Sequence, residues 1–324
     1  MGKSKRQILA TTNGDGLMDT PNTGQSVRLL STQGKGTFYE TNYKLEPLGE
    51  LEIRVKAVMT GVCRSDIDMM KGLFPLLPES MHGHEGLGQV VERGPGVHDY
   101  DIKIGDYVAT RGEPAYADYY NCKPMTWVKV PEADPKYIIE PVACAVNIET
   151  FCLDDIVRKH HDNERRMLII GSGFLAKVFY QCMQSYIFDI DVWGNADKEF
   201  WGDKLVSEPN GSYDIVVDLK DTSQVLDVQV NDNPLIILCS QKKVPMSTDL
   251  SDWLWKSATI KMPSPRAPCF LKSMRRAVSM VQQDNLVLDN VWTHSYNRDT
   301  NWRNAFMDAL RRPEGYGRGY IKWD

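Results

Sequence analysis

Two short, turn-rich stretches carry residues able to do chemistry. "TGVCRSDIDMMKG" at 60–72 sets Cys63 directly before Arg64, Ser65 and Asp66, and "MHGHEGLGQVVERGPGV" at 81–97 sets His84 and Glu85 between glycines. A thiolate, an imidazole and carboxylates are ligand types that zinc accepts, and a catalytic zinc keeps one position open for substrate or water. Cys63 and His84 lie too far apart for a zinc-finger knuckle, but their spacing suits ligands gathered from separate loops. Burial is the competing reading. A lone cysteine commonly behaves as a small buried hydrophobe, and a lone histidine as a hydrogen-bonded residue of core or surface.

A second chemical feature lies further on. Gly171, Ser172, Gly173, Phe174, Leu175 and Ala176 form a GxGxxA pattern directly after "MLII" and directly before a helical stretch. The first glycine permits a tight turn. The second lets the backbone approach a pyrophosphate, whose charge meets amide N–H groups at the helix N-terminus. An ordinary strand–turn–helix without ligand is the alternative. The following strand, "FDIDVWG", should end beside an adenosine ribose, where NAD sites carry Asp or Glu. Here Trp193, Gly194 and Asn195 follow, then Asp197 and Lys198, while Asp191 falls inside the strand. Lys198 could neutralise a 2′-phosphate and Asn195 could donate to it. This leans towards NADP, and Asp197 keeps NAD open.

The elements around these residues have two textures. Residues 27 to 130 read as short strands closed by glycine and proline turns, as in "LEIRVKAVMTG", "GLGQVVERGPG" and "GDYVAT". Near Glu140 the pattern changes. "EPVACAVNIETFCLDDIVRKHH" has helical spacing, and the apolar runs in "RRMLII", "FDIDVWG", "YDIVVDL" and "PLIILCS" alternate with connecting segments, which indicates a parallel sheet. Near 285 the chain changes again. "LVLDNVWTHSYN" reads as a strand, "TNWRNAFMDALRR" as a helix and "GYIKW" as a last strand. We read a β-rich domain interrupted by an α/β domain, with the chain returning to the first domain. The boundaries are a loosely ordered extension at 1–26, a β-rich domain at 27–147, an α/β domain at 148–284 and the return at 285–324.

With 324 residues, 42% of them hydrophobic, the chain can build one large or two ordinary cores. The net charge of -5 is spread along the chain without a long basic block, which argues against nucleic acid as a partner. No apolar stretch is long enough for a signal peptide or membrane span. Met1-Gly2 followed by Lys3, Ser4, Lys5 and Arg6 is read as a solvated tail, not a myristoylation site. Seven cysteines without a CxxC pair argue against a disulfide framework and fit a reducing cytoplasm.

"GVCRSDI", "GHEGLGQVVERGPGV", "IKIGDYVA", "EPVACAV" and "LIIGSGFLAKV", in this order, resemble the medium-chain dehydrogenase/reductase superfamily, most of all its zinc-dependent alcohol and polyol (sorbitol-like) dehydrogenases. The resemblance covers about residues 27 to 324 and includes the closing "VWTHSYNRDTNWRNAFMDAL" and "GRGYIKW". It implies a GroES-like β-rich catalytic domain plus a Rossmann doubly wound parallel sheet. It implies one catalytic zinc held by Cys63, His84 and a carboxylate from Glu85 or Glu140, with His82 the lesser choice and Cys144 a fallback. It implies Asp66 as an acid behind the ligands, and Ser65 as the hydroxyl that takes the substrate's proton. The histidine that continues this relay in alcohol dehydrogenases is Asp68 here, which leaves the end of the relay open. Arg64 matches a basic position facing the cofactor pyrophosphate, joining Gly171, Gly173, Phe174, Leu175, Asn195 and Lys198 as cofactor-binding candidates.

Two departures stand out. The family's structural-zinc lobe should follow "GDYVA", but "TRGEPAYADYY" runs through without cysteines, so no structural zinc is expected. Between "VWGNADKEFWGDKLV" and "YDIVVDL" there is little room for connecting helices, and "CSQ" replaces the usual glycine after the later strand. The implied activity is hydride exchange between NAD(P) and a secondary alcohol, polyol or ketone, in a homodimer or homotetramer. "VWGNADK" also resembles NADPH-using ribulose-phosphate reductases of the same superfamily, which opens a sugar-phosphate alternative. A non-catalytic nucleotide-binding relative and a zinc-free quinone or enoyl reductase are the other rivals. His160 and His161 read as a solvated linker, Trp253 and Trp255 as packing residues in preference to a subunit contact, and His294 carries no assigned role. Arg266 resembles a family arginine near the cofactor cleft.

Overall fold

In "IRVKAVMTG" Ile53, Val55 and Ala57 alternate into a core, and this period of two starts the first sheet before a bulge shifts it. The computed structural model describes residues 21–73, 76–78, 81–98, 100–112, 114–162, 165–220, 222–240, 251–289 and 291–323. The expected tail at residues 1–20 lies outside the described residues, as do Gln241 and the nine residues after it. In chain order the first part holds β1 (Ser26–Thr32), β2 (Phe38–Lys44), β3 (Ile53–Gly61), α1 (Arg64–Met70), β4 (Gly86–Arg93), β5 (Tyr107–Thr110), β6 (Tyr119–Cys122) and β7 (Trp127–Val130). The middle holds α2 (Ile139–His161), β8 (Arg166–Ile170), α3 (Phe174–Met183), β9 (Asp189–Trp193), α4 (Lys198–Trp201), β10 (Leu205–Val206), β11 (Tyr213–Asp218), β12 (Val230–Leu238), α5 (Ser251–Trp255), β13 (Thr259–Lys261) and α6 (Phe270–Gln282). Last come β14 (Trp292–Asn297), α7 (Trp302–Arg311) and β15 (Arg318–Lys322).

The chain's last strands join the first sheet, whose order is β14-β15-β3-β4-β5-β7 with β6 also on β3. β15 runs antiparallel to β3 with Tyr320 opposite Gly61, and β3 runs antiparallel to β4 with Thr60 opposite Gly86. Its core gathers Leu29, Phe38, Ile53, Val55, Tyr116, Phe306 and Trp323.

The second sheet is six-stranded and parallel, in the order β10-β9-β8-β11-β12-β13. The order reverses between β8 and β11, the point at which open α/β sheets bind ligands beyond the carboxyl ends of their strands. Helices α2, α3 and α6 cover one face, packing on Met167, Ile169, Ile215, Val217, Leu235 and Ile237. The other face carries Leu168, Ile170, Val216 and Ile236 beneath Val225, Val228 and Trp253. Its covering pieces are short among the described residues: a 3-10 turn, Gln224–Asp227, lies between β11 and β12, and the four-residue α4 and a 3-10 turn lie between β9 and β10.

Helix α2 crosses residue 147 without a break, and one core runs through it from Leu87, Ala109 and Val128 of the first sheet to the second. His160 and His161 form the last turn of α2 instead of a linker, and His160 packs edge-on against Tyr186 and Phe188 at 6.0 and 5.8 Å. The helix continues because its apolar spacing carries on through Ile156 and a basic end complements the helix dipole.

Candidate active site

Pairing between β3 and β4 brings the two motif stretches together. Gly61 N–H donates to the Glu85 carbonyl at 2.9 Å, so the turn leaving β3 lies beside the residues entering β4. Val62 N–H donates to the Gly319 carbonyl at 3.0 Å, which lays β15 across the same place. The ligand atoms of Cys63, His84 and Glu85 all lie within 4.8 Å of one another. A Cβ on Gly61 would collide with Glu85 Oε2, so any larger residue here would displace that carboxylate.

Around these three the contacts are specific. Asp66, the third residue of α1, accepts the Cys63 N–H at 2.9 Å, the bond by which an acid at this position caps a helix. The same carboxylate accepts the Tyr116 hydroxyl at 2.7 Å, and its Oδ1 faces His84 Nδ1 at 3.7 Å. Ser65 Oγ lies 3.5 Å from His84 Nε2, on the other side of the ring. Cys144, one turn along α2 from Glu140, donates to Glu140 Oε1 at 3.4 Å. Glu140 is buried and feels the charges of His84 and Glu85, although its oxygens are not among the three mutually close ligand atoms. His82 points the other way, with Nδ1 3.1 Å from Ser31 Oγ and its ring edge-on to Phe38.

Burial sets the protonation of this cluster. It pushes the Cys63 thiol up, reinforced by Glu85 and opposed by His84. It pushes the Glu140 carboxyl up to about 7, with His84 opposing and Glu85 adding to the shift. Burial also raises the Asp66 carboxyl against the pull of His84. The imidazole of His84 is raised despite burial, because Asp66 and Cys63 favour its cation. A half-buried to buried set with more acids than cations is the environment a divalent cation relieves.

Sequence reasoning missed Arg318. Its Nη2 donates to both Glu85 oxygens, at 2.5 and 2.6 Å, and the Glu85 side chain is only 1% exposed. The guanidinium lies 4.9 Å from the Phe174 ring centre and 5.0 Å from that of Trp292. One arginine therefore ties Glu85 to the first residue of α3. The available signal was a glycine-flanked arginine opening the apolar strand "GYIKW".

The glycine turn sits at the carboxyl end of β8. Gly171 has φ +115, a backbone region that favours glycine. A Cβ on Gly173 would meet nothing within 4 Å among the described residues, so this face of the turn is open. The segment after β9 lies over the turn, since Ala196 N–H donates to Ser172 Oγ at 2.9 Å and Trp201 Nε1–H to the Ser172 carbonyl at 3.0 Å. Asn195 and Lys198 are exposed on that segment. Asp197 pairs with Lys177, and Asp191 is engaged by Arg166 and the Tyr213 hydroxyl. Leu175 is half-buried in α3. Arg64 is 63% exposed and pairs with Asp68 along α1 at 3.0 Å. The fold thus gathers Cys63, Ser65, Asp66, His84, Glu85 and Glu140 in one place, with Arg64, Asn195 and Lys198 outside it.

The residues fit a zinc ion. Tetrahedral ligands at 2.0–2.3 Å from zinc lie about 3.3–3.8 Å apart, so three side chains already within 4.8 Å need only a small inward shift. They offer sulfur, nitrogen and oxygen, the set zinc takes. Asp66 Oδ1 is buried, with no hydrogen-bond partner among the described residues, and stands where a ligating histidine's second ring nitrogen is ordinarily held.

Comparison with known proteins agrees with this architecture. The profile of the alcohol dehydrogenase GroES-like domain family matches residues 49–131. A sorbitol dehydrogenase of Halalkalibacterium halodurans is 33% identical over 99 residues, covering 30% of this chain and 28% of that protein. The match thus spans under a third of this curated relative's length. An alcohol dehydrogenase of Thermus sp. ATN1 superposes with a TM-score of 0.74 at 14% identity, covering 92% of this chain and 100% of that one. Galactitol-1-phosphate dehydrogenase from Escherichia coli gives 0.71 at 16% identity, over 91% of this chain and 99% of that one. At these identities the structures speak for the fold alone. Residues 49–131 match the GroES-like domain family, and with the chain's own last strands closing that sheet and a parallel sheet carrying a glycine turn on its first strand, the chain has the two-part fold of these dehydrogenases.

Proposed function

We propose that the protein is a zinc-dependent oxidoreductase that moves a hydride between NAD(P) and a secondary alcohol or polyol, or the corresponding ketone. The observation that carries this reading is the convergence of Cys63, His84 and Glu85 beside Ser65, with Arg318 linking that cluster to the start of α3. In this reading residues 27–147 and 285–324 form the catalytic unit and 148–284 the nucleotide unit.

Cys63 and His84 would hold the zinc, with Glu85 or Glu140 as the carboxylate ligand. Bound there, the metal would supply Lewis acidity that lowers the pKa of a substrate hydroxyl, and the nicotinamide would supply or accept the hydride. The chain's own residues do the rest. Asp66 keeps His84 turned with Nε2 towards the cluster. Ser65 Oγ, on the Nε2 side of that ring, would relay the proton leaving the substrate hydroxyl, taking it up as its own proton passes on to water. Arg318 holds Glu85 while it is not a ligand. Gly173 lets a pyrophosphate reach the N–H groups that open α3. The edge strand β13 and the neighbouring α5 expose Ile260, Met262, Leu254 and Trp255, which supports a homo-oligomer formed along this edge. Among the described residues no helix is long and apolar enough to cross a membrane.

A sugar-phosphate reductase is the second reading. A cleft of about 730 Å³ is lined by Lys44, Arg111, Lys123 and Arg266 together with Glu46 and Glu52. The test is metal analysis of purified protein followed by turnover assays with NAD and NADP on matched polyols and polyol phosphates. One zinc per chain with turnover is the expected result. A folded protein without affinity for zinc sinks the reading.

A further inference from the structure

The Asp66 carboxylate is 1% exposed, and its two oxygens have different surroundings. Oδ2 takes two donors, the Cys63 N–H at 2.9 Å and the Tyr116 hydroxyl at 2.7 Å. Oδ1 faces His84 Nδ1 at 3.7 Å and has no hydrogen-bond partner among the described residues. A carboxylate gripped through one oxygen presents the other in a fixed direction.

Tyr116 is built into this place from a different part of the chain. It sits between β5 and β6 with no exposed surface. Its N–H donates to the His82 carbonyl at 3.1 Å, and the N–H of Ala115 donates to the Gly83 carbonyl at 3.0 Å, so the segment is zipped onto the residues leading into His84. Gly83 has φ +84, and a Cβ there would lie 2.5 Å from Tyr116 N and 2.6 Å from its ring. Phe38 and Phe306 wedge the ring edge-on, with centres 5.9 and 5.4 Å away. The phenol has one proton and two acceptors in reach, Asp66 Oδ2 at 2.7 Å and the Gly61 carbonyl at 3.2 Å. The shorter, charge-assisted bond to the carboxylate is the stronger.

We propose that Tyr116 is a positioning residue for the metal site: its hydroxyl locks Asp66 so that Oδ1 fixes the ring of His84 with Nε2 towards the metal. This role rests on the zinc reading above. Partners that orient a ligating histidine change metal affinity by about 10–100-fold, and a residue acting through such a partner is expected to change it less.

The test is zinc affinity by competition with a chromophoric chelator, with the absorption spectrum of the cobalt-substituted protein as second readout. Tyr116→Phe should bind zinc about 3–10-fold more weakly and shift the cobalt bands, whereas Asp66→Asn should lose about 10-fold or more. Adding Tyr116→Phe to Asp66→Asn should change affinity no further, because the phenol acts through the carboxylate. Tyr120→Phe is the control. Tyr120 is equally buried, and its hydroxyl bonds Thr110 Oγ1 at 3.0 Å, so losing it softens the same domain without touching Asp66. Its zinc affinity should stay within about twofold of wild type, well short of an outer-partner effect. Wild-type affinity in Tyr116→Phe, or an equal loss in Tyr120→Phe, overturns the proposal. Wild-type protein that takes up no zinc removes the metal reading itself, and this role with it. Should Tyr116→Phe fail to fold without metal, 3-fluorotyrosine at position 116 keeps the ring and changes only the strength of the donor, so the same titration decides.

Discussion

Replacing Arg318 by Met removes the guanidinium and keeps apolar volume between Phe174 and Trp292. Glu85, whose side chain is 1% exposed, then loses the guanidinium that holds both its oxygens. Breaking a buried ion pair by removing one partner costs roughly 3–5 kcal/mol. The loss of two aromatic contacts adds on the order of 0.5–2 kcal/mol, partly offset by the Met side chain. The metal-free protein should therefore lose about 3–5 kcal/mol in urea unfolding followed by tryptophan fluorescence with a chelator present. Glu85→Gln should cost less, because a neutral amide oxygen still accepts from Arg318. The double variant should fall short of the sum by about 2 kcal/mol or more, since the two side chains are in direct contact. Zinc should restore Arg318→Met more than wild type, because Glu85 is then free to ligate. At a free zinc concentration 100 times Kd, binding to the folded state adds about 2.7 kcal/mol. A loss below about 1 kcal/mol, or strict additivity in the double variant, would refute the claim that this pair is a buried and coupled feature of the site.

Ser65→Ala should retain zinc and nucleotide while turnover falls about 10²–10⁴-fold, the range for a lost proton-transfer group. Cys63→Ala should lose the metal, and equal zinc content in the two variants would show Cys63 to be a structural thiol. Gly173→Val should fold, since a Cβ there meets no described atom within 4 Å, yet bind NAD(P) far more weakly in calorimetry; wild-type affinity would place the cofactor elsewhere. The Glu140 carboxyl gives a pH signature, because burial raises it from 4.5 to about 7 in the metal-free fold. The folded state then holds this proton more tightly than the unfolded chain. Its contribution is full below about pH 4.5 and fades as pH rises to about 7. Denaturant midpoints across that range should fall for wild type and flatten for Glu140→Gln; identical slopes would contradict the assignment.

Local physics made much of this protein legible from the chain alone. The glycine turn could be read because a strand, a positive-φ glycine and a helix start follow one another within a few residues, and Gly171 takes that conformation. The parallel strands were visible as apolar runs, and the final three elements as a return to the first sheet. Cys63, His84 and Glu85 were recognisable by residue type and motif, and one β-pairing was enough to bring them together. Asp66 could be placed beside Cys63 and His84, but not the phenol that holds it. Tyr116 reaches Asp66 only because one loop is zipped onto another, and Arg318 reaches Glu85 across 233 positions of sequence. His160, read as linker, became helix because Tyr186 and Phe188 were there to pack against it. Asp191, read as early for a ribose, was committed instead to Arg166 and Tyr213. Each of these depends on which side chains strand register and helix packing bring face to face. Periodicity records the face a residue presents; the partner it meets there is chosen by distant segments competing to fill and neutralise the same buried volume.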